Sequence, residues 1–144
     1  MFLGEFQHTI DVKGRVSLPA RFREDLSGKL FVVKGFEGCL YVYPAPAYES
    51  FLARLLASND FDAEARKMRR FFTSGAQDAS LDSAGRVMLP PVLREYAKLG
   101  REVSIIGNSD HIEIWDAGAW AAYNGDTTEH IEDVAGELVA KGIL

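Results

Sequence analysis

The sequence predicts an α+β fold in which two tandem ββαββ repeats form one pseudo-symmetric barrel with flanking helices. Residues 11–24 and 82–95 share eight of their 14 positions, whereas unrelated stretches would share about one. Each copy also contains short alternating segments bounded by turn residues, which is typical of β-strands. A unit of roughly 45 residues is too small to bury a persuasive core alone. We therefore expect the two repeats to interleave their hairpins and share one core.

Each repeat begins with two strands joined by a turn. An aspartate suits the start of this turn because its carboxylate can accept bonds from the next backbone N–H groups. A glycine suits the turn position that needs a positive φ. A proline, Pro19 or Pro90, ends the second strand and sets φ for the first turn of a helix. The predicted segments are strands 5–10 and 79–81, turns 11–15 and 82–86, and strands 15–18 and 86–89.

A short helix and two further strands complete each repeat, and two longer helices follow it. Asp60 or Asp62 is expected to cap the N-terminus of one of these longer helices. The predicted helices are 20–26, 47–57, 62–72, 91–99, 117–123 and 127–140, and the later strands are 30–34, 39–43, 102–106 and 111–115. This organisation divides the chain into a first repeat with its helices, residues 1–75, and a second, residues 76–144.

Length and composition are those of a soluble globular protein. The chain has 144 residues, of which 47% are hydrophobic and 26% are charged. No apolar run approaches the roughly 18 residues that span a bilayer, and the N-terminus lacks the features of a signal peptide. A single cysteine, Cys39, fits a reducing compartment. We therefore expect a cytoplasmic protein with no membrane partner.

The net charge of −5 does not decide whether the partner is a nucleic acid, because charge is unevenly placed. Residues 1–34 contain six basic and four acidic side chains. Residues 124–144 contain one basic and five acidic side chains. The N-terminal part is therefore mildly basic, and most of the acidity lies in the C-terminal tail.

The two Asp-x-x-x-Arg turns are candidate DNA-binding loops. Arginine presents a planar fork of donors that matches phosphate oxygens or the O6/N7 edge of guanine. An adjacent glycine lets the backbone approach a phosphate closely. Lys13 adds a second positive charge to the first loop, where the second loop has Ala84, so we expect the first loop to bind more strongly. Three arginines on the short helices are expected to support phosphate contacts: Arg21, Arg23 and Arg94.

A structural interpretation of the same turns stays open from the residues alone. An aspartate and an arginine this close in sequence most often form a local ion pair that stabilises the turn. The repetition of the motif indicates a shared architecture more directly than a shared function. Either interpretation is compatible with the turn chemistry of both copies.

A nine-residue pattern, Asp-x-x-Gly-Arg-Val-x-Leu-Pro, occurs at residues 11–19 and again at residues 82–90. This pair of patterns resembles the MraZ family, a branch of the AbrB-like swapped-hairpin regulators. Residues 2–6 and 72–76 resemble the family too, and the resemblance covers essentially the whole chain. It implies that the following residues contact DNA: Asp11, Lys13, Gly14, Arg15, Asp82, Gly85 and Arg86.

The resemblance also implies a cellular role. It implies a cytoplasmic, nucleoid-associated transcription regulator that assembles into a homo-oligomeric ring. The implied partner is double-stranded DNA with short G-rich direct repeats, upstream of the division and cell-wall gene cluster that includes the protein's own gene. The departures at Ser83 and Ala84 predict that the second loop contributes less. In a ring, linked weak contacts gain about 10²–10⁴ in avidity, so a mildly basic patch suffices.

The sequence offers no recognisable catalytic or metal chemistry. His8, His111 and His130 are widely separated and lack partners at metal-ligand spacing. Cys39 lies in a strand-like run, where we expect a buried small hydrophobe. Walker-type phosphate loops are absent. We therefore expect no cofactor, no metal and no small-molecule substrate, and we do not expect an enzyme.

Two further features leave alternatives open. The basic cluster of Arg66, Lys67, Arg69 and Arg70 is interpreted as a solvated helix face. Alternatively, it makes supplementary phosphate contacts or faces the acidic tail of a neighbouring subunit. A protein-binding antitoxin would carry one hairpin copy and a disordered tail. This chain has two copies and a tail with helical spacing, which favours the DNA-binding interpretation.

Overall fold

A computed structural model describes residues 1–57 and 59–144, and all structural statements concern these residues. The first half of this part of the chain contains β1 (Glu5–Thr9), β2 (Arg15–Ser17), α1 (Ala20–Arg23), β3 (Leu30–Lys34), β4 (Leu40–Pro44), α2 (Ala45–Leu56) and α3 (Ala63–Ser74). The second half contains β5 (Gln77–Ala79), β6 (Arg86–Met88), α4 (Pro91–Tyr96), β7 (Glu102–Asn108), β8 (His111–Asp116), α5 (Ala117–Glu129) and α6 (Ile131–Ala140).

The larger sheet exchanges strands between the two repeats. Its six antiparallel strands lie in the order β1-β7-β8-β4-β3-β5. Strand β1 of the first repeat pairs with β7 of the second, and β5 of the second repeat pairs with β3 of the first. The central pair, β8 and β4, joins the two halves. Each edge of the sheet is therefore completed by a strand from the other repeat.

A second, two-stranded sheet closes the barrel. It consists of β2 and β6, in which Val16 pairs with Val87. The edge strands β1 and β5 lead through the two Asp-x-x-x-Arg loops into this small sheet, and an Ile10–Val16 bridge joins β1 to β2. The fold is therefore the pseudo-symmetric swapped-hairpin barrel that the sequence predicts.

One hydrophobic core lies inside the barrel and draws on both repeats. Val16, Leu18 and Leu30 of the first repeat pack with Val87 and Leu89 of the second, and all five are fully buried. The alternating strands supply these side chains because every second residue points to the same face. Cys39 is fully buried as well, as the sequence predicts.

The outer face of the large sheet carries a second, aromatic cluster. Val33, Tyr43 and Tyr48 are buried there, with Phe31 and Phe51 packed against them. The hydroxyl group of Tyr48 donates a hydrogen bond of 2.5 Å to the carbonyl oxygen of Phe72. Helices α2 and α3 thereby cover this face of the sheet.

Several element boundaries differ from the sequence prediction. Strand β5 occupies Gln77–Ala79 and not residues 79–81. The prediction missed its start because this edge strand carries exposed polar residues and lacks an alternating apolar pattern. Helices α1 and α4 end earlier than predicted, at Arg23 and Tyr96. After α4 the chain reverses at Lys98, which has a φ value of 50°. Helix α5 runs on through Gly125 and Asp126 to Glu129, past the predicted break. Asp62 caps α3, as one of the two predicted candidates.

The exchange of strands bears on the predicted division into residues 1–75 and 76–144. Because β1 and β5 lie in the opposite halves of the sheet, neither segment contains all the partners of its own strands. The boundary itself stays a prediction. It describes the repeat in sequence and does not describe two separately packed bodies.

Candidate nucleic-acid interface

The first Asp-x-x-x-Arg loop, residues 11–15, is organised by its aspartate. Oδ1 of Asp11 accepts hydrogen bonds from the backbone N–H groups of Lys13 and Arg15, each at 2.9 Å. Oδ2 accepts a hydrogen bond of 2.8 Å from Nε of Arg15. The N–H of Gly14 donates to the carbonyl oxygen of Asp11 at 3.0 Å. One side chain therefore fixes both the loop backbone and the arginine.

The second loop, residues 82–86, repeats this geometry. Oδ1 of Asp82 accepts from the N–H groups of Ala84 and Arg86 at 2.9 Å, and Oδ2 accepts from Nε of Arg86 at 2.8 Å. The backbone bonds from Arg15 and Arg86 are the largest cause that holds the pKa of Asp11 and of Asp82 below the usual value. Both aspartates therefore stay ionised, and the local ion pair of the structural interpretation forms in each copy.

This ion pair leaves part of each arginine free. Among the described residues, only the aspartate of its own loop bonds the guanidinium group of Arg15, and it does so through Nε. The same holds for Arg86. The exposed fraction of the side chain is 26% for Arg15 and 33% for Arg86. The terminal N–H groups are thus oriented by the aspartate and available to a ligand.

Each loop is also tied to the other repeat. Gly14 and Gly85 have φ values of 82° and 74°, a conformation that favours glycine. The carbonyl oxygen of Gly14 accepts a bond of 2.9 Å from the N–H of Leu89, and that of Gly85 accepts one of 3.0 Å from Leu18. The positions of the two loops are therefore fixed by each other's strands.

Two of the predicted phosphate-contact arginines cover these glycines. Nε of Arg23 donates to the carbonyl oxygen of Leu18, and Nε of Arg94 donates to that of Leu89, each at 2.9 Å. Each guanidinium then lies against the glycine of the opposite loop, Arg23 against Gly85 and Arg94 beside the first loop. The sequence predicts supporting phosphate contacts for these arginines without specifying which loop they accompany. The swap places each beside the loop of the other repeat.

The remaining predicted residues lie at the loop tips or apart from them. Val12 and Lys13 are exposed at the tip of the first loop, and Ser83 and Ala84 are exposed at the tip of the second. Arg21 is exposed too, but its guanidinium lies over the ring of Phe6, 5.9 Å from the centroid. Arg21 is therefore not brought together with either loop by a direct contact.

One polar cluster was not predicted from the sequence. His111 is stacked on Tyr43, with 4.6 Å between ring centroids, and its Nδ1 lies 2.8 Å from Oδ1 of Asp110. Its Nε2 lies 3.7 Å from Oε2 of Glu113. Oε2 of Glu113 also accepts a hydrogen bond from Asn108, and Oε1 accepts one from Trp115. The alternation of β8 alone does not show that these polar residues face aromatic rings. His111 and Glu113 are the buried members of this network on the outer face of the sheet, and Asp110 and Asn108 are its exposed members.

The described part of the chain offers no group of three or more metal-ligating side chains that could hold an ion. Within residues 1–57 and 59–144, no helix has the length and apolar character needed to cross a membrane.

The exchanged hairpins and the two matched loops define a tandem-repeat protein of the swapped-hairpin class. The family described as "MraZ protein, putative antitoxin-like" matches residues 1–71 and again residues 72–138. The chain therefore belongs to the MraZ family. Curated relatives named "Transcriptional regulator MraZ" include that of Moorella thermoacetica, which is 44% identical over 96% of this chain and 97% of the relative. That of Acetivibrio thermocellus is 40% identical over 99% of this chain and 100% of the relative.

Proposed function

We propose that this protein is a transcription regulator that binds double-stranded DNA through its two Asp-x-x-x-Arg loops and carries out no catalysis. The observation that carries the proposal is the pair of preordered arginines, each held through Nε with its terminal N–H groups free. The names of the relatives support a role in transcription. Their names do not specify a DNA sequence, so the target is part of the proposal.

The loop geometry suits DNA recognition for an energetic reason. A free arginine loses side-chain entropy of up to about 2 kcal/mol when it is ordered by a ligand. Asp11 orders Arg15 before binding, so less of this cost falls on the complex. The planar donor edge of the arginine then matches O6 and N7 of guanine. The exposed Lys13 beside it suits a phosphate.

The proposed target is short G-rich direct repeats upstream of the division and cell-wall gene cluster, including the protein's own gene. Arginine is the side chain that most often contacts guanine in the major groove, so a G-rich site fits the loops. Binding there by a cytoplasmic protein makes it nucleoid-associated. Direct repeats fit neighbouring subunits related by rotation better than inverted repeats do.

Self-assembly into a ring is part of the same proposal. Helix α6 has no buried residue, and its apolar side chains Ile131, Val134 and Val139 are exposed. An amphipathic helix with an uncovered apolar face gains stability by packing against another surface. The same helix carries three carboxylates, which restrict the choice of partner: Glu132, Asp133 and Glu137.

The partner proposed for α6 is helix α3 of a second copy of the chain. Arg70 and Lys67 are exposed on α3, and the apolar side chain of Met68 is exposed beside them. Their charge is opposite to that of α6, so contact between copies brings unlike charges together. A heterologous contact of this kind generates a ring when the rotation between copies closes.

Gel-shift binding to the DNA upstream of the protein's own gene tests the function. The proteins are the wild type, Arg15→Ala and Arg86→Ala, at two salt concentrations, with Arg21→Ala as a control because Arg21 lies apart from both loops. We expect the wild type and the control to shift the DNA, Arg15→Ala to fail, and Arg86→Ala to weaken binding less. If both loop variants bind like the wild type, the loops are structural and the proposal is wrong.

A further inference from the structure

The strand exchange gives the two loops different electrostatic surroundings. The first loop lies beside residues 94–101 of the second repeat: Arg94 contacts Gly14, and the N–H of Ile10 donates to the carbonyl oxygen of Arg101 at 2.8 Å. One open groove is lined by residues 9–12 together with Arg94, Leu99, Gly100 and Arg101. The first loop and the 94–101 segment therefore form one composite site.

The second loop has the equivalent neighbours from the first repeat. Arg23 contacts Gly85, and a groove is lined by Arg23, Ser27 and Gly28 together with residues 80–83 and 85. The segment equivalent to 94–101 is therefore 23–29. The two composite sites share a geometry and differ in the charged residues that surround them.

The charges add up on one side. The first loop has two cations and one carboxylate, and its partner segment has three cations, Arg94, Lys98 and Arg101, and one carboxylate. The second loop has one cation and one carboxylate, and its partner segment has two cations and two carboxylates. The first composite site thus has a net charge of +3 and the second a net charge of zero. Including the next charged strand residues, Glu102 and Asp78, lowers both values by one and keeps the difference.

This order cannot be obtained by counting within repeats. Loop 11–15 taken with segment 23–29 has a net charge of +1, and loop 82–86 taken with segment 94–101 has a net charge of +2. The exchange reverses this ranking because it joins the more basic loop to the more basic segment. The difference in charge between the sites also grows, from one unit to three.

The added cations are accessible. Lys98 and Arg101 are exposed, and neither side chain has a hydrogen-bond or ion-pair partner in the described part of the chain. Lys98 adopts a φ of 50°, which reverses the chain beside the groove. By contrast Lys29, the counterpart of Arg101, lies 3.6 Å from Asp78 and is paired. Only the first site therefore offers unpaired cations beside its loop.

We propose that the groove between the first loop and residues 94–101 is the principal phosphate-binding site of the protein, with Lys98 and Arg101 contacting the DNA backbone. The proposal rests on the proposed function, since it names the residues that hold the DNA beside Arg15. Backbone contacts carry no sequence information but fix the register of the loop on the duplex. The site is built from both repeats, one supplying the loop and the other the flanking cations.

Fluorescence anisotropy over a salt series tests this proposal. The test variant is Lys98→Ala/Arg101→Ala, with Ser27→Ala/Lys29→Ala as the control at the equivalent positions of the second site. A second control, Arg54→Ala, removes an exposed charge on α2, away from both loops and from the proposed contact between copies. Each is titrated against a labelled duplex from upstream of the protein's own gene and against a scrambled duplex. Circular dichroism melting checks that each variant stays folded.

For the test variant we expect the plot of log K against log salt to become less steep on both duplexes. The magnitude of its negative slope should decrease by about 0.9 for each lost phosphate contact. If the variant and the wild type bind equally at 1 M salt, two lost contacts make the variant bind about 30-fold more weakly than the wild type at 0.15 M salt. Both controls keep the wild-type slope. If the test variant keeps it too while Arg15→Ala abolishes binding, this inference is wrong and the proposed function stands. If the wild type binds neither duplex, the proposed function itself fails.

Discussion

The guanidinium group of Arg94 lies against Gly14, so closely that a β-carbon on the glycine would come 3.0 Å from Cζ of the arginine. The equivalent contact in the other half is tighter, because a β-carbon on Gly85 would lie 2.5 Å from Cζ of Arg23. Each contact joins the loop of one repeat to the short helix of the other. The loops and the helices therefore have to fit each other across the molecule.

We expect Gly85→Ala to destabilise the protein more than Gly14→Ala. Both changes force alanine into a positive φ, which costs about 1–2 kcal/mol, and Gly85→Ala must also displace Arg23 from Leu18. Gly28→Ala is the matched control, since Gly28 has a φ of 83° and open space around its β position. Urea denaturation measures the three free energies of unfolding. Equal losses for all three would show that the arginine contacts contribute nothing.

Asp11→Asn should separate the ordering of the loop from the ordering of the arginine. The asparagine keeps an oxygen for the N–H groups of Lys13 and Arg15, but it turns an NH₂ group toward Nε of Arg15. We therefore expect a small change in melting temperature and about a tenfold loss of discrimination between the target and a scrambled duplex. Asp82→Asn is the matched change in the second loop, where we expect a smaller loss of discrimination. Unchanged discrimination in Asp11→Asn would contradict the positioning role.

A fragment of residues 1–75 should not fold as a monomer. Strand β1 loses its partner β7, and β2 loses its partner β6. Mixing this fragment with residues 76–144 should restore the β-sheet signal in circular dichroism, because the two fragments together contain every strand pair. Sedimentation measures the mass of each species. A monomeric 1–75 fragment with a cooperative melting transition would be incompatible with the exchanged hairpins.

The polar cluster on the outer sheet face should make stability depend on pH. Burial alone lowers the pKa of His111, but the neighbouring carboxylates of Glu113 and Asp110 outweigh it and raise the pKa above the usual 6.5. Protonated His111 is therefore favoured in the folded state. This contribution is fully present below pH 6.5 and is lost as the pH rises through the raised value.

We accordingly expect the melting temperature to be lower in buffers at pH 9 than in buffers at pH 6. His111→Gln should flatten this dependence, whereas His130→Gln, which changes an exposed histidine, should leave it intact. Differential scanning calorimetry across the pH series gives the comparison. A His111→Gln protein that retains the full slope would assign the dependence to other groups.

The parts of the site that depend on local chemistry could be predicted from the sequence. The turn with Asp11 at its start and Gly14 at a positive φ follows from the five consecutive residues 11–15, and residues 82–86 determine the second turn in the same way. The shared core also follows, because a single repeat is too small to bury one. These features need no knowledge of which strands pair across the molecule.

The choice of partner for each loop could not be predicted. Arg23 and Arg94 occupy equivalent positions in the repeats, so the sequence is equally compatible with contact inside a repeat or between repeats. Only the observed pairing of β2 with β6 decides between them. The assignment of Arg94 to Gly14, and with it the charge around the first loop, depends on this long-range pairing.

Helices α2 and α3 join the two repeats in one chain, so the pairing of loop 11–15 with loop 82–86 does not depend on the protein concentration. Two separate single-repeat chains would dissociate as their concentration fell, and the loops would lose the strands that hold them. Because α2 and α3 join the two repeats covalently, their pairing is intramolecular and does not depend on the concentration of the chain. A cell with only a few copies of this protein would therefore still contain intact loop pairs. Scarcity would therefore leave the arrangement of the two loops within each molecule unchanged.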